Sequence, residues 1–212
     1  MKTEKPDMKK YLNYLITVLS AVLCLFHLYA VYRGTLSIMR QKVVHIGLIL
    51  LLAVLVYFVK KLEKRERIHP IDVAVNALFF GGVIYAATYI FIMDKQLVFF
   101  QGAPNKEIIL AGLILTAALF FITQRTLGWV MPLIAITALA YGLFGDRIPG
   151  ALGHRTYSIA RISSSLILGE DGIMGTPLGV SAGTVAMFVI FGSVLQYTGA
   201  GQAFIDLAFA AF

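Results

Sequence analysis

The sequence predicts an all-α, polytopic membrane protein with about six transmembrane helices, an interfacial amphipathic helix and a truncated final helix that stops at Phe212. Three observations predict this fold class. Hydrophobic residues make up 59% of the 212 residues and charged residues only 14%. The mean hydropathy is +0.83, whereas a water-soluble domain of this length needs far more polar surface. Several apolar runs reach the roughly 17–25 residues with which a helix crosses a bilayer.

Five apolar runs separated by polar turns predict the first five membrane helices. Pro70 opens the third run, because proline suits the first turn of a helix, where its missing N–H is not needed. Asp72 then faces the positive end of that helix dipole. Trp129 opens the fifth run and suits a position at the membrane interface. The five helices are expected over about residues 13–31, 43–59, 70–93, 108–122 and 129–144.

Basic residues indicate the orientation and the surroundings of these helices. With the N-terminus inside, the segments before residue 129 place ten lysines and arginines on the inner side and five on the outer side. This bias favours a cytoplasmic N-terminus. The formal net charge of +7 is then explained by loops that lie against anionic lipid headgroups, so no nucleic-acid partner is expected.

The sequence changes character after Phe144 and becomes polar and rich in glycine. Ile159, Ile162 and Leu166 then recur at helical spacing, with Arg161 and the serines elsewhere. This pattern predicts a short amphipathic helix that lies in the membrane interface. Strict alternation of the spans would put the arginines of this segment outside, against the charge rule. Either the amphipathic helix changes the count, or the topology after Phe144 departs from simple alternation.

Isolated polar residues inside the apolar runs are candidates for chemistry, and each has a structural explanation that we favour. His27 is interpreted as a neutral imidazole that is hydrogen-bonded to a neighbouring helix. Asp72 and Asn76 share a helix face and would join a polar pathway, but helix capping by Asp72 is the favoured explanation. The sequence shows no nucleophile elbow, serine–lysine pair, paired acids within a span or zinc-binding spacing. We therefore expect no enzymatic activity, no catalytic residue and no metal site.

The segment GEDGIMGTPLGVSAGT, residues 169–184, interrupts the apolar sequence. Gly175, Gly179 and Gly183 recur at every fourth position, which predicts a helix face against which another helix packs closely. Pro177 lies between them and lacks a backbone donor, so a helix either begins near Pro177 or breaks there. The two acidic residues just upstream suit the positive end of a helix that starts here.

Direct contact with a ligand is the alternative explanation of this segment. A glycine-rich, extended stretch before a helix start inside the membrane exposes backbone groups and a helix dipole, and transporters bind ions and substrates in this way. Such backbone is tolerated only where it is buried in protein or lines a cavity. Packing or helix initiation is the favoured explanation. The candidate residues of a substrate or ion pathway are Gly175, Pro177, Gly179 and Ser181.

Residues 170–210, EDGIMGTPLGVSAGTVAMFVIFGSVLQYTGAGQAFIDLAFA, resemble the start of the large permease domain of TRAP transporters. The similarity is greatest to the fused permeases of the TAXI subgroup, with a pattern close to EGIFGxPLGVSAT…FxxFGxxLxxxGAGxxFxDLA. The chain departs from that pattern at Gly183, an extra residue before the threonine. The match is specific over about residues 149–210, and before Trp129 it rests on the layout of the spans alone.

The resemblance implies a division of the chain into three parts. Residues 1–126 correspond to a four-helix small-subunit scaffold, residues 127–150 to a connecting transmembrane helix, and residues 151–212 to the beginning of the large transport domain. The glycine- and serine-rich hairpins that bind ions and substrate in this family are expected beyond Phe212. On this basis the chain is expected to be the first portion of a longer permease.

The resemblance also implies a function. A TRAP permease is a secondary transporter in the bacterial inner membrane that takes up organic anions such as dicarboxylates by symport with sodium. A periplasmic substrate-binding protein delivers the substrate, and no cofactor other than the coupling ion is implied. The alternative is a non-transporting membrane scaffold or assembly subunit, for which a natural stop near Phe212 and co-purification with a larger complex are expected.

Overall fold

A computed structural model describes residues 8–34, 36–64, 69–100 and 103–211. Within these ranges all regular secondary structure is helical, which confirms the predicted all-α fold class. The α-helices are α1 (Met8–Arg33), α2 (Ile38–Glu63), α3 (Pro70–Met93), α4 (Lys106–Leu127), α5 (Val130–Phe144), α6 (Ile159–Leu168), α7 (Thr176–Val180), α8 (Ala186–Thr198) and α9 (Ala200–Ala211). A π-helical segment, Ser181–Val185, joins α7 to α8. Short 3₁₀ turns occupy Leu97–Phe100, Gly145–Arg147 and Gly150–Leu152.

Six helices in the described ranges are long and apolar enough to cross a membrane. They are α1 to α4, the continuous stretch Val130–Arg147, and the stretch Thr176–Thr198, which combines α7, the π segment and α8. The chain is therefore a multi-pass membrane protein whose outer faces contact the lipid bilayer. The prediction of about six transmembrane helices is confirmed.

Local sequence signals explain where several helices begin. Ser37, Asn105 and Ser158 each precede a helix, and each side-chain oxygen accepts a hydrogen bond from the amide three residues further on, at 2.9 to 3.2 Å. Such N-caps satisfy amides that have no partner inside the helix. Pro70 is the first residue of α3, as predicted.

The hydrophobic core lies between α2, α3 and α4. Val43 of α2, Ile90 of α3 and Leu115 of α4 belong to one cluster of buried side chains and are at most 1% exposed. Small residues let these helices approach each other. A Cβ atom on Gly82 of α3 would lie 3.0 Å from Cγ2 of Ile114 on α4, so these two helices pack closely at that point.

Ion pairs hold together the end of the bundle at which α2 finishes, here called the Glu63 end. Asp72 of α3 binds Lys61 of α2 at 2.5 Å and Arg125 of α4 at 3.7 Å. The amide of Asn76 donates to the carbonyl oxygen of Asp72 at 2.6 Å. Asp72 does lie in the first helical turn, but its carboxylate also connects three helices. Charges near a membrane core are paired in this manner because an isolated charge is costly there.

The opposite end, here called the Ser37 end, carries the turn between α1 and α2. The Ser37 hydroxyl donates to Oδ2 of Asp94 at 2.7 Å, and Nε of Arg40 lies 3.3 Å from the same oxygen. The guanidinium group of Arg40 also stacks over the ring of Phe91, with 5.0 Å from Cζ to the ring centroid. These contacts attach the start of α2 to the end of α3.

Helix α6 packs across α4, and its buried face differs from the predicted one. Ser163, Ser164 and Ile167 are buried, whereas Ile159 is 57% exposed. The Ser163 hydroxyl donates to the carbonyl oxygen of Ile109 at 2.6 Å. The expectation that the serines of α6 lie away from its packing face is therefore wrong for two of them. A hydroxyl that finds a backbone acceptor can be buried at little cost.

The segment between α5 and α6 turns back at the Ser37 end. The amide of Tyr157 donates to the carbonyl oxygen of Gly142 at 3.1 Å, and the ring of His154 lies against Gly145. Arg147, Arg155 and Arg161 thus lie at the same end as the five basic residues assigned to the outer side. Lysines and arginines then number ten on the predicted inner side and eight on the predicted outer side. The charge bias is smaller, and the cytoplasmic N-terminus stays a prediction.

Candidate functional site

The loop at residues 169–175 folds tightly onto the end of α6. The amide of Gly172 donates to the carbonyl oxygen of Gly169 at 3.1 Å, and that of Met174 donates to Leu166 at 3.3 Å. A Cβ atom on Gly172 would lie within 3 Å of the carbonyl oxygen of Leu166. The glycines of this segment are therefore required by the close approach of backbone to backbone.

A helix begins directly after this loop, as the sequence predicts. Helix α7 starts at Thr176, with Gly175 as its N-cap residue and Pro177 in its first turn. The amide of Thr176 donates to the carbonyl oxygen of Glu170 at 2.7 Å. A Cβ atom on Gly175 would collide with that same oxygen. The prediction that a helix begins near Pro177 is confirmed, and glycine is the residue that fits just before it.

The predicted single face of three glycines is wrong. Gly175 precedes the helix in an extended conformation, and the π segment changes the helical phase between Gly179 and Gly183. A Cβ atom on Gly179 would lie 2.9 Å from Cε of Lys42, whereas a Cβ atom on Gly183 would have no atom within 4 Å. Of the three glycines, only Gly179 therefore makes room for another helix, through a side chain of α2.

Three polar side chains of α2 hold this region through hydrogen bonds. Nζ of Lys42 donates to the carbonyl oxygen of Met174 at 2.9 Å. Nε2 of Gln41 donates to the carbonyl oxygen of Ala182, also at 2.9 Å. Nε2 of His45 lies 3.1 Å from the Ser181 hydroxyl oxygen. These six residues are called the junction below.

The junction extends into α1 through a second histidine. Nε2 of His27 lies 2.9 Å from Nδ1 of His45, and the two rings meet edge to face at 4.9 Å between centroids. His27 is 2% exposed and His45 is 4% exposed. The interpretation of His27 as an imidazole hydrogen-bonded to a neighbouring helix is confirmed. Ser181, His45 and His27 thus form a hydrogen-bonded chain across three elements.

A groove lined by both polar and apolar residues lies beside the junction. Its volume is about 380 Å³, and both α2 and the Thr176–Thr198 stretch contribute to its wall. Among the lining residues are Gln41, Lys42, Thr176, Gly179, Ala182 and Thr184. Salt bridges in the described ranges do not involve Lys42, so its ammonium group is held there by a backbone carbonyl oxygen.

The structure places the predicted pathway residues at this junction but gives them different roles. Gly175 and Pro177 form the start of α7, Gly179 faces Lys42, and Ser181 contacts His45. Their contact with an ion or substrate stays a prediction. In the part of the chain that the structure describes, no group of three or more His, Cys, Asp or Glu side chains is arranged to hold a metal ion.

Sequence reasoning missed the partners on α2. Gln41 and His45 are four residues apart and so share one face of a helix, and Lys42 is adjacent to Gln41. Polar residues on one face near the start of an apolar helix indicate contact with another polar surface. Hydropathy alone does not reveal which segment provides that surface.

Comparison of the chain with protein-family models, with curated proteins and with solved structures finds no match. The junction and the residues around it are therefore interpreted from their own chemistry.

Proposed function

We propose that the chain is part of the permease of a TRAP-type secondary transporter of the TAXI subgroup. In this proposal the permease takes up organic anions such as dicarboxylates by symport with sodium. It resides in the bacterial inner membrane with a cytoplasmic N-terminus and works with a periplasmic substrate-binding protein and the remainder of the permease. The similarity of residues 170–210 to the start of the large permease domain is the basis of the proposal.

The structural observation that supports this proposal is the attachment of the segment around Thr176 to α2. The resemblance assigns α2 to a small-subunit scaffold and the segment after residue 151 to the large domain. Lys42, Gln41 and His45 connect these two parts by hydrogen bonds at 2.9 to 3.1 Å. A scaffold that braces the first helices of a transport domain requires contacts of this kind.

The junction also supports a bracing role for the predicted pathway residues. Irregular backbone inside a membrane-spanning segment is stable where its polar groups have partners. Here protein side chains already provide partners for the carbonyl oxygens of Met174 and Ala182. In the proposal Gly175, Pro177 and Gly179 shape this attachment, and the groups that bind ions and substrate lie elsewhere in the permease.

Reconstituted transport tests the proposal. The product of the complete reading frame is placed in proteoliposomes with the purified binding protein that is encoded nearby, and uptake of radiolabelled dicarboxylates is measured. We expect uptake that requires both an inward sodium gradient and the binding protein. A stop codon directly after Phe212 with no gene for a large permease domain nearby would overturn the proposal, as would uptake that is independent of the binding protein.

A membrane scaffold or assembly subunit without transport activity is the second candidate. The favouring observation is that no residue of α8 or α9 is buried. Phe188 and Phe209, for example, are 69% and 81% exposed. Such apolar helices contact either lipid or another membrane protein. Stable co-purification with a larger membrane complex, without sodium-dependent uptake, would favour this candidate over the transporter.

A further inference from the structure

The π segment Ser181–Val185 contains one more residue than a regular helical turn. In an α-helix each amide donates to the carbonyl oxygen four residues earlier. The amide of Ala186 instead donates to the carbonyl oxygens of Ser181 and Gly183. The carbonyl oxygen of Ala182, which a regular helix would pair with Ala186, accepts a hydrogen bond from Gln41.

Two side chains of α2 match this irregular turn. Gln41 reaches the carbonyl oxygen of Ala182 at 2.9 Å, and His45 reaches the hydroxyl group of Ser181 at 3.1 Å. Gln41 and His45 lie one helical turn apart, so both side chains project from the same face of α2. Ala182 is 1% exposed, and a carbonyl group buried there without a donor would be costly. Gln41 thus satisfies the carbonyl oxygen that the π turn leaves without a helix partner, and His45 contacts a side chain of the same turn.

Gly183 lies within this turn. A Cβ atom on Gly183 would have no neighbour within 4 Å, so close packing does not require glycine here. One residue inserted into a regular α-helix turns all later residues by about 100°. A π turn takes up one extra residue locally, and the helix faces before and after it keep their directions.

We propose that Gln41 and His45 of α2 hold the π turn at Ser181–Val185 open, so that this turn keeps one residue more than a regular helical turn. The junction then sets the rotation of α8. With the contacts made, the extra residue stays in the π turn. Without them the turn reverts to regular helix, and α8 rotates by about 100° about its axis. In this proposal the helix between Thr176 and Thr198 has two conformations that differ in the rotation of α8, and the contacts from α2 select one of them.

The test combines a deletion with a substitution and measures folding rather than transport. Deletion of Gly183 converts the π turn to a regular helix, in which the amide of Met187 lies four positions after Ala182 and donates to its carbonyl oxygen. Gln41→Leu removes the donor to Ala182. Apparent melting temperature in detergent and amide hydrogen exchange of residues 181–187 are measured for the parent, for each variant and for the double variant.

Two control variants match these changes. Gln196→Leu removes an exposed glutamine of α8. Deletion of Val189 removes a residue from the regular part of α8 and turns the half-buried Ile190 and Leu195 away from their neighbours.

We expect the Gly183 deletion to keep the melting temperature within about 2–4 °C of the parent, a change that corresponds to about 1 kcal/mol in a chain of this size. Deletion of Val189 should lower the melting temperature by more than deletion of Gly183 does. Gln41→Leu should lower the melting temperature and speed exchange about tenfold in the parent, as the loss of about 1.4 kcal/mol of local stability would. In the chain that lacks Gly183, Gln41→Leu should change the melting temperature and the exchange rate by less than half as much. Gln196→Leu should change them little, both in the parent and in the chain that lacks Gly183.

Two results would overturn the proposal. One is a Gly183 deletion that is as damaging as the Val189 deletion, including failure to fold. The other is an equal effect of Gln41→Leu in the presence and absence of Gly183. Neither result depends on substrate uptake, so the outcome is separate from that of the transport proposal.

Discussion

Ser163 of α6 fills the space beside Gly112 of α4 that any larger residue would need. A Cβ atom on Gly112 would lie 2.6 Å from the carbonyl oxygen of Ser163. The hydroxyl group of the same serine donates to the carbonyl oxygen of Ile109 at 2.6 Å. This contact brings α6, and with it the loop that follows, close to α4.

Gly112→Ala should therefore separate α4 from α6. The added methyl group meets backbone atoms, which cannot move aside as a side-chain end can, and overpacking of this kind costs about 1–3 kcal/mol. The apparent melting temperature should fall by roughly 2–4 °C for each kcal/mol. Gly192→Ala is the matched control, because a Cβ atom there has no neighbour within 4 Å. Equal stability of the two variants would show that α4 and α6 do not pack as closely as described.

Asp72→Asn should destabilise the Glu63 end of the bundle. The substitution leaves Lys61 and Arg125, whose side chains are only 13% and 14% exposed, without their shared carboxylate. We expect a clear fall in melting temperature, and partial recovery when Lys61→Met is added, since one of the two unpaired charges is then removed.

Glu63→Gln provides the control for Asp72→Asn. Glu63 pairs with Lys9, and both side chains are about half exposed, so water replaces the interaction at little cost. A loss of stability as large as that of Asp72→Asn would contradict the difference between the two ion pairs.

The positions of the helices could largely be predicted from the sequence, whereas the side-chain contacts between helices could not. Apolar run length decides where a span lies, and Pro177 marks a helix start wherever the helix is then placed. The pairing of Asp72 with Lys61 and Arg125 depends on how α2, α3 and α4 pack, which hydropathy does not encode. The burial of Ser163 in α6 was missed for a related reason, because it depends on Gly112 in another helix.

The π segment was the least predictable element near the candidate site. The residues SAGTV contain no proline or charge that would mark an irregular turn. Its presence depends on acceptors and donors contributed by α2, more than 130 residues earlier in the chain.

Lys42→Met should loosen the loop at residues 169–175. Methionine keeps most of the apolar stem but lacks the ammonium group that donates to the carbonyl oxygen of Met174 at 2.9 Å. Amide hydrogen exchange in this loop should become faster, because local opening then costs less free energy. Lys95→Met is the control, since Lys95 is exposed at the same end of the bundle. Unchanged exchange in the Lys42 variant would show that this hydrogen bond does not hold the loop.

Removing His27 and His45 together should cost less stability than the two single substitutions predict when added. A neutral imidazole has one donor and one acceptor nitrogen, so each ring in the Ser181–His45–His27 chain depends on the next. His27→Leu leaves Nδ1 of His45 buried without its partner, and His45→Leu leaves Nε2 of His27 in the same position. An unsatisfied buried polar group costs about 1–3 kcal/mol.

In the double variant only the Ser181 hydroxyl loses a partner, and a serine in a helix can bond to a carbonyl oxygen of its own preceding turn. Melting temperatures of the parent, both single variants and the double variant give the coupling, with His69→Leu at an exposed position as the control. Strictly additive losses would mean that the two histidines do not act as one hydrogen-bonded unit.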